Sequence, residues 1–88
     1  PSKYDLYQNY PNPFNPTTNI KFDIVKNSLV KLQVYDITGK LINTLVNDRL
    51  QAGKYEFNMN ASMLPSGVYF YKIEAGDFIQ TRRMILLK

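Results

Sequence analysis

The sequence has no cysteine, no histidine and no tryptophan among its 88 residues. Without the first two there can be no disulfide, no zinc site built from cysteine and histidine, no thiol nucleophile and no histidine base. No apolar run approaches the roughly 18 residues of a membrane span, and no basic-then-apolar leader opens the chain. We therefore expect one domain, residues 1–88, that depends on its hydrophobic core and needs no cofactor and no metal. Because the chain starts at Pro1 rather than methionine, we interpret it as a piece of a longer protein.

Basic residues outnumber acidic ones by eleven to seven, which gives a net charge of +4. Most of them are spread singly along the chain, as on the solvated face of a strand. Only Arg82, Arg83 and Lys88 are concentrated, in the last seven residues. The cluster is small and has no interleaved stacking platform, so we expect no nucleic-acid partner. The scattered carboxylates form no evident acid–base pair, so we also expect no catalytic residue and no small-molecule substrate.

Apolar and polar residues alternate with a period of two, which is typical of half-buried strands. The alternation predicts strands over 20–24, 30–34, 55–59 and 69–73. Residues 40–46 and 78–87 have apolar residues at both odd and even positions. They predict strands, but the pattern does not decide which face of each strand points inward. A short strand over 6–8 completes the set. Seven strands separated by regular turns predict an all-β, antiparallel, immunoglobulin-like β-sandwich.

Turns separate these strands, and a proline-rich arch is expected to close one end of the sandwich. We expect all four glycines to lie at turns and none inside a strand, with Gly39 supplying the positive φ of a tight hairpin. Three prolines alternate with asparagine over 10–16 and predict a stiff, non-helical arch, whose Phe14 plugs one end of the core. The predicted structural positions are Asn12, Pro13, Phe14, Asn15, Pro16, Asp36, Gly39 and Gly53.

Tyrosine is the most frequent aromatic residue, with seven copies. Three lie on the apolar parity and are predicted in the core, which leaves Tyr4, Tyr7, Tyr10 and Tyr35 as possible surface rings. Surface tyrosines on a sandwich favour an alternative function, a small carbohydrate-binding or adhesive module. A folded spacer without a ligand is a third possibility.

Five motifs follow one another in order along nearly the whole chain: residues 9–18, 34–40, 50–53, 64–72 and 81–88. As a series they resemble the type A C-terminal sorting domain of type IX secretion cargo proteins. Each motif alone is a turn flanked by apolar residues, whereas the series with its basic-apolar-basic ending is specific. The sequence departs from the pattern at Asn58–Asn60, where similar domains commonly carry a Trp-Asp pair.

The resemblance implies a function that composition does not. Such domains are non-catalytic, immunoglobulin-like addresses at the C-terminus of secreted proteins in certain Gram-negative bacteria. The implied partners are the type IX translocon, a surface sortase and the covalently linked upstream cargo domain. The implied destination is the cell surface or the medium, reached through the periplasm and outer membrane, with the sortase removing the domain and often anchoring the cargo.

The family's recognition elements can be placed on this sequence residue by residue. Gly67, Val68 and Tyr69 match a Gly-X-Tyr element, and the chain ends in a basic-apolar-basic segment. A terminal strand could also be extended by a receptor through strand addition, with the basic side chains fixing the register. The predicted recognition residues are Gly67, Val68, Tyr69, Arg82, Arg83, Met84, Leu86 and Lys88.

Overall fold

The computed structural model describes residues 1–88 and confirms an all-β architecture. The seven strands are β1 (Asp5–Leu6), β2 (Thr17–Ile24), β3 (Ser28–Tyr35), β4 (Leu41–Leu50), β5 (Gly53–Asn60), β6 (Gly67–Ala75) and β7 (Phe78–Leu86). Sheet A has the order β1-β2-β5 and sheet B the order β4-β3-β6-β7, with every strand pair antiparallel. This arrangement is consistent with the predicted sandwich.

The hydrophobic core lies between the two sheets. Alternation turns every second residue of β2, β3 and β6 inward, as the sequence predicts, and the inward side chains form one cluster. Phe14 belongs to this cluster and is 2% exposed, so its side chain lies in the core, as the sequence predicts. The other members are Leu6, Ile20, Phe22, Ile24, Val30, Leu32, Val34, Met59, Ala61, Tyr69, Tyr71, Ile73, Ala75, Met84 and Leu86.

Strand β4 is longer than the sequence predicts. It runs from Leu41 to Leu50 instead of over 40–46, and Asn47–Arg49 pair with the first half of β3. These polar residues are tolerated because β4 is an edge strand with solvent beside it. Two register shifts against β3 interrupt its alternation, and such bulges explain why no inward face could be assigned. In β7 the alternation is regular: Met84 and Leu86 point inward.

The prediction that no glycine lies inside a strand is wrong for Gly53 and Gly67, which are the first residues of β5 and β6. Gly39 has a φ of 87°, as predicted, but Gly53 has no positive φ. Gly53 instead pairs with Ile24 on β2, and the Tyr55 ring folds back over it so that its hydroxyl donates to the carbonyl of Gln51 at 2.6 Å. The conformation of Gly53 is therefore set by its strand pairing with Ile24 and not by a turn.

Hydrogen bonds join the two sheets where the edge strands β1 and β7 meet. Beside β1, the Gln8 side chain donates to the Arg83 carbonyl at 2.7 Å, and Arg82 Nε donates to the Leu6 carbonyl at 2.5 Å. On the opposite side the edge strands β4 and β5 follow each other in the chain, joined by Gln51 and Ala52.

Candidate functional site

The β6–β7 hairpin brings the two predicted recognition elements together. Gly67 lies opposite Leu86, Val68 opposite Ile85, and Tyr69 opposite Met84. Residues that are far apart in the sequence motifs are thus cross-strand neighbours, whose side chains interact directly. The hairpin is the candidate functional site.

Three of the predicted recognition side chains face the core. Tyr69 is 5% exposed, while Met84 and Leu86 are fully buried. The Tyr69 hydroxyl donates to the carbonyl of Pro65 at 2.6 Å, which ties the start of β6 to the preceding loop. In the folded domain these side chains hold the hairpin in the core and offer no surface to a partner.

The other predicted residues lie at the surface or along the edge. Arg83 is exposed on the outer face of sheet B, and Val68 is half-buried there. Arg82 is half-buried in its contact with Leu6. Lys88 folds back onto the loop before β6: its backbone N–H donates to Ser66 Oγ at 2.9 Å and its ammonium to the Ser62 carbonyl at 2.5 Å. Among the predicted recognition residues with a side chain, a partner that binds the folded domain can contact only Val68, Arg82, Arg83 and Lys88.

The proline arch covers the outer edge of β7 at its end. The Phe14 N–H donates to the Ile85 carbonyl at 2.9 Å, and the Leu87 N–H donates to the Phe14 carbonyl at 3.0 Å. The Ile85 N–H donates to Asn12 Oδ1 at 2.9 Å. The edge that the sequence offers for strand addition is therefore occupied at Ile85 and Leu87, and at Arg83 the carbonyl accepts from Gln8. By alternation, Ile79 and Thr81 turn their main-chain groups to the open part of this edge.

The arch is held in turn by a buried polar cluster that sequence reasoning missed. The Tyr71 hydroxyl accepts from the Asn9 N–H at 2.7 Å and donates to the Tyr7 carbonyl at 2.8 Å. The Asn9 amide donates to Thr18 Oγ1 at 3.0 Å, and that hydroxyl donates to the Pro11 carbonyl at 2.8 Å. Tyr71 fits the apolar parity, so its position in the core was predicted, but alternation carries no information on its polar partners.

The predicted surface tyrosines divide into two pairs. Tyr10 is 80% exposed and Tyr7 is 39% exposed, as predicted. Tyr4 is half-buried because it stacks on Phe78 with ring centroids 5.5 Å apart. Tyr35 is also half-buried, and Lys72 Nζ lies 5.3 Å from its ring centre on the outer face of sheet B.

The hairpin between β3 and β4 depends on one carboxylate. Asp36 Oδ1 accepts from the Thr38 hydroxyl at 2.6 Å, from the Thr38 N–H at 2.8 Å and from the Lys40 N–H at 3.1 Å. The hydrogen bond from the Thr38 hydroxyl, followed by those from the backbone, holds the pKa of Asp36 below its ordinary value. Asp36 and Gly39 together thus define the turn that the sequence predicts.

Acidification is expected to loosen this turn. Since the pKa of Asp36 is lower in the folded chain than in the unfolded chain, its contribution to stability is present above the ordinary carboxyl range. That contribution is lost as the pH falls through the lowered value. An NMR titration of the Asp36 carboxyl should give a midpoint below that of the isolated 34–42 peptide; equal midpoints would contradict the prediction.

Comparison with known protein families identifies the family of this chain. No helix of the chain is long and apolar enough to cross a membrane. No match was found among curated proteins. A family model, described as the secretion system C-terminal sorting domain, matches residues 8–87, a range that includes the arch, the Asp36 turn and the β6–β7 hairpin. The chain therefore belongs to the family of type IX secretion C-terminal sorting domains.

Proposed function

We propose that this domain is the non-catalytic address by which the type IX translocon accepts a cargo protein, linked upstream, and carries it across the outer membrane. One observation supports this most: the β6–β7 hairpin joins both elements that the family resemblance assigns to recognition. A surface sortase then removes the domain and anchors the cargo at the cell surface.

The recognition residues have two roles in this proposal. Tyr69, Met84 and Leu86 are positioning residues, because they are buried and hold β6 against β7. Val68, Arg83 and Lys88 reach the surface and are available to the machinery. The address is therefore a folded surface, and the buried residues act through the shape of the hairpin.

Residues 1–88 fused behind a periplasmic reporter are expected to carry that reporter to the surface or medium of a host with a type IX system. Deletion of Met84–Lys88 should lower export to the level of the reporter alone, because it removes the end of β7 and its contacts with the arch. Reporter activity in washed cells and medium measures the result. Unchanged export of the deletion variant would contradict the role of the terminal segment.

The deletion also empties part of the core, so a surface variant is needed beside it. Lys88→Ala removes the ammonium and leaves Met84 and Leu86 in place. A lower export with an unchanged melting temperature would assign the loss to recognition.

The mass of the exported reporter tests the sortase: loss of the domain with an added surface glycan supports removal and anchoring, whereas an intact fusion contradicts them.

A further inference from the structure

The outer faces of the two sheets carry opposite charge. By register and alternation, the outer face of sheet B bears four cations, Lys31, Arg49, Lys72 and Arg83, and one acid, Glu74. That acid lies 3.6 Å from Lys72 and offsets one of the four cations, which leaves the face with a net charge of +3. The outer face of sheet A bears two cations, Lys21 and Lys54, and three acids, Asp5, Asp23 and Glu56. The domain's excess positive charge is therefore concentrated on the outer face of sheet B and on the chain ends.

That same face carries an apolar patch at the end where β7 finishes. Tyr35 lies opposite Phe70, and Val68 lies opposite Ile85, so the two pairs are adjacent on β3, β6 and β7. All four side chains are half-buried, and Lys72 Nζ lies over the Tyr35 ring, 5.3 Å from its centre. Lys72 and Arg83 flank them, and Ile37 of the Asp36 turn forms one wall of a shallow groove beside Phe70. We name this surface the Phe70 patch: Tyr35, Val68, Phe70 and Ile85, with Lys72 and Arg83 at its border.

We infer that the Phe70 patch is the surface that docks on an acidic protein surface of the secretion machinery, an inference that rests on the proposed function. Aromatic side chains, such as Tyr35 and Phe70 in this patch, and arginine side chains, such as Arg83 beside them, often contribute most of the binding energy of protein–protein interfaces. The cations at its border require acidic residues on the partner. The patch also explains the placement of the recognition elements, because Val68 and Arg83 belong to it.

A protein fits the patch better than a lipid surface or a second copy of the chain. Membrane-surface binding needs apolar side chains that protrude into the bilayer, whereas the rings of Tyr35 and Phe70 are half-buried in the sheet. A second copy related by a two-fold axis would bring the cations at the border into proximity with one another. An acidic protein surface matches the positive charge of the face and can contact side chains that do not protrude.

The test uses the reporter fusion with two variants and two matched controls. Lys72→Gln with Arg83→Gln removes two charges from the patch, and Lys3→Gln with Lys26→Gln removes the same charge from exposed positions elsewhere. Phe70→Thr removes the central ring, and Tyr10→Thr removes an exposed ring from the arch. We expect both patch variants to lower the rate of export about tenfold, the effect of losing one energetically important side chain. We expect the controls to behave like the parent fusion.

The outcomes separate the patch from the proposed function. If the parent fusion is not exported, the proposed function fails regardless of the patch. If it is exported and the patch variants match their controls, the patch assignment is overturned. If Phe70→Thr lowers the melting temperature markedly, the result for Lys72→Gln with Arg83→Gln decides whether the patch assignment stands. Binding of the parent domain to vesicles with anionic phospholipid, lost in Lys72→Gln with Arg83→Gln, would assign the patch to lipid and overturn the proposal. A solution dimer that Phe70→Thr dissociates would also overturn it.

Discussion

Replacement of Phe14 by alanine is expected to lower the free energy of unfolding by about 3–5 kcal/mol, the usual cost of removing a buried aromatic ring. The ring is 2% exposed and belongs to the single core cluster. Small domains are stable by only about 5–15 kcal/mol, so the loss would be a large share of the total. Chemical denaturation followed by circular dichroism measures it.

The backbone around Phe14 gives this prediction a second readout. Both main-chain groups of Phe14 bond to the end of β7, so a displaced arch should expose the amide of Leu87 to faster hydrogen exchange. Tyr10→Ala is the control, since it removes an exposed aromatic ring from the same arch and should change stability by less than about 0.5 kcal/mol. Equal stabilities for the two variants would show that Phe14 does not plug the core.

Replacement of Tyr71 by phenylalanine is expected to cost about 1–3 kcal/mol, although it removes a single oxygen. That oxygen accepts from the Asn9 N–H and donates to the Tyr7 carbonyl. Asn9 is 2% exposed, so its N–H would be left buried without a partner. Tyr10→Phe is the matched control, because the Tyr10 side chain is 80% exposed. A cost no larger than that of the control would contradict the role of the Tyr71 hydroxyl.

The ionisation of Tyr71 provides an independent measurement. Burial raises the pKa of its hydroxyl to about 12 from an ordinary value of 10.0. A raised folded-state pKa contributes stability that is fully present below pH 10 and is lost as the pH rises toward 12. We expect the parent domain to lose stability over this window and Tyr71→Phe to lose less. The difference in phenolate absorbance between the parent domain and Tyr71→Phe across this window isolates the ionisation of Tyr71 from that of the other six tyrosines.

Local pattern was sufficient to predict much of the fold. Period-two alternation identified the inward side chains of β3 and β6, because each of these strands has one face in the core. The positive φ at Gly39 and the burial of Phe14 followed from turn chemistry and from the stiffness of the arch. Such features depend on residues close in sequence.

The parts of the fold and of the candidate site that local pattern did not predict depend on contacts between residues distant in sequence. The length of β4 is set by its pairing with β3, since Asn47–Arg49 are polar and gain strand structure only from that neighbour. The split of the predicted recognition residues between core and surface follows from the β6–β7 register, which sequence spacing does not reveal. The side-chain acceptor at Asn12 that covers Ile85 could not be expected from an arch considered alone.

The bond between the arch and β7 also constrains when the domain can be complete. Asn12 and Ile85 are 73 positions apart, so the arch is synthesised long before the strand that it covers. Contacts of such separation form only after the intervening chain is present. A cargo chain whose synthesis stopped before β7 would lack the last strand of sheet B and the partner of Phe14. If the translocon accepts only the folded surface, as we propose, it would reject such a truncated cargo, and export would require that translation had passed residue 87.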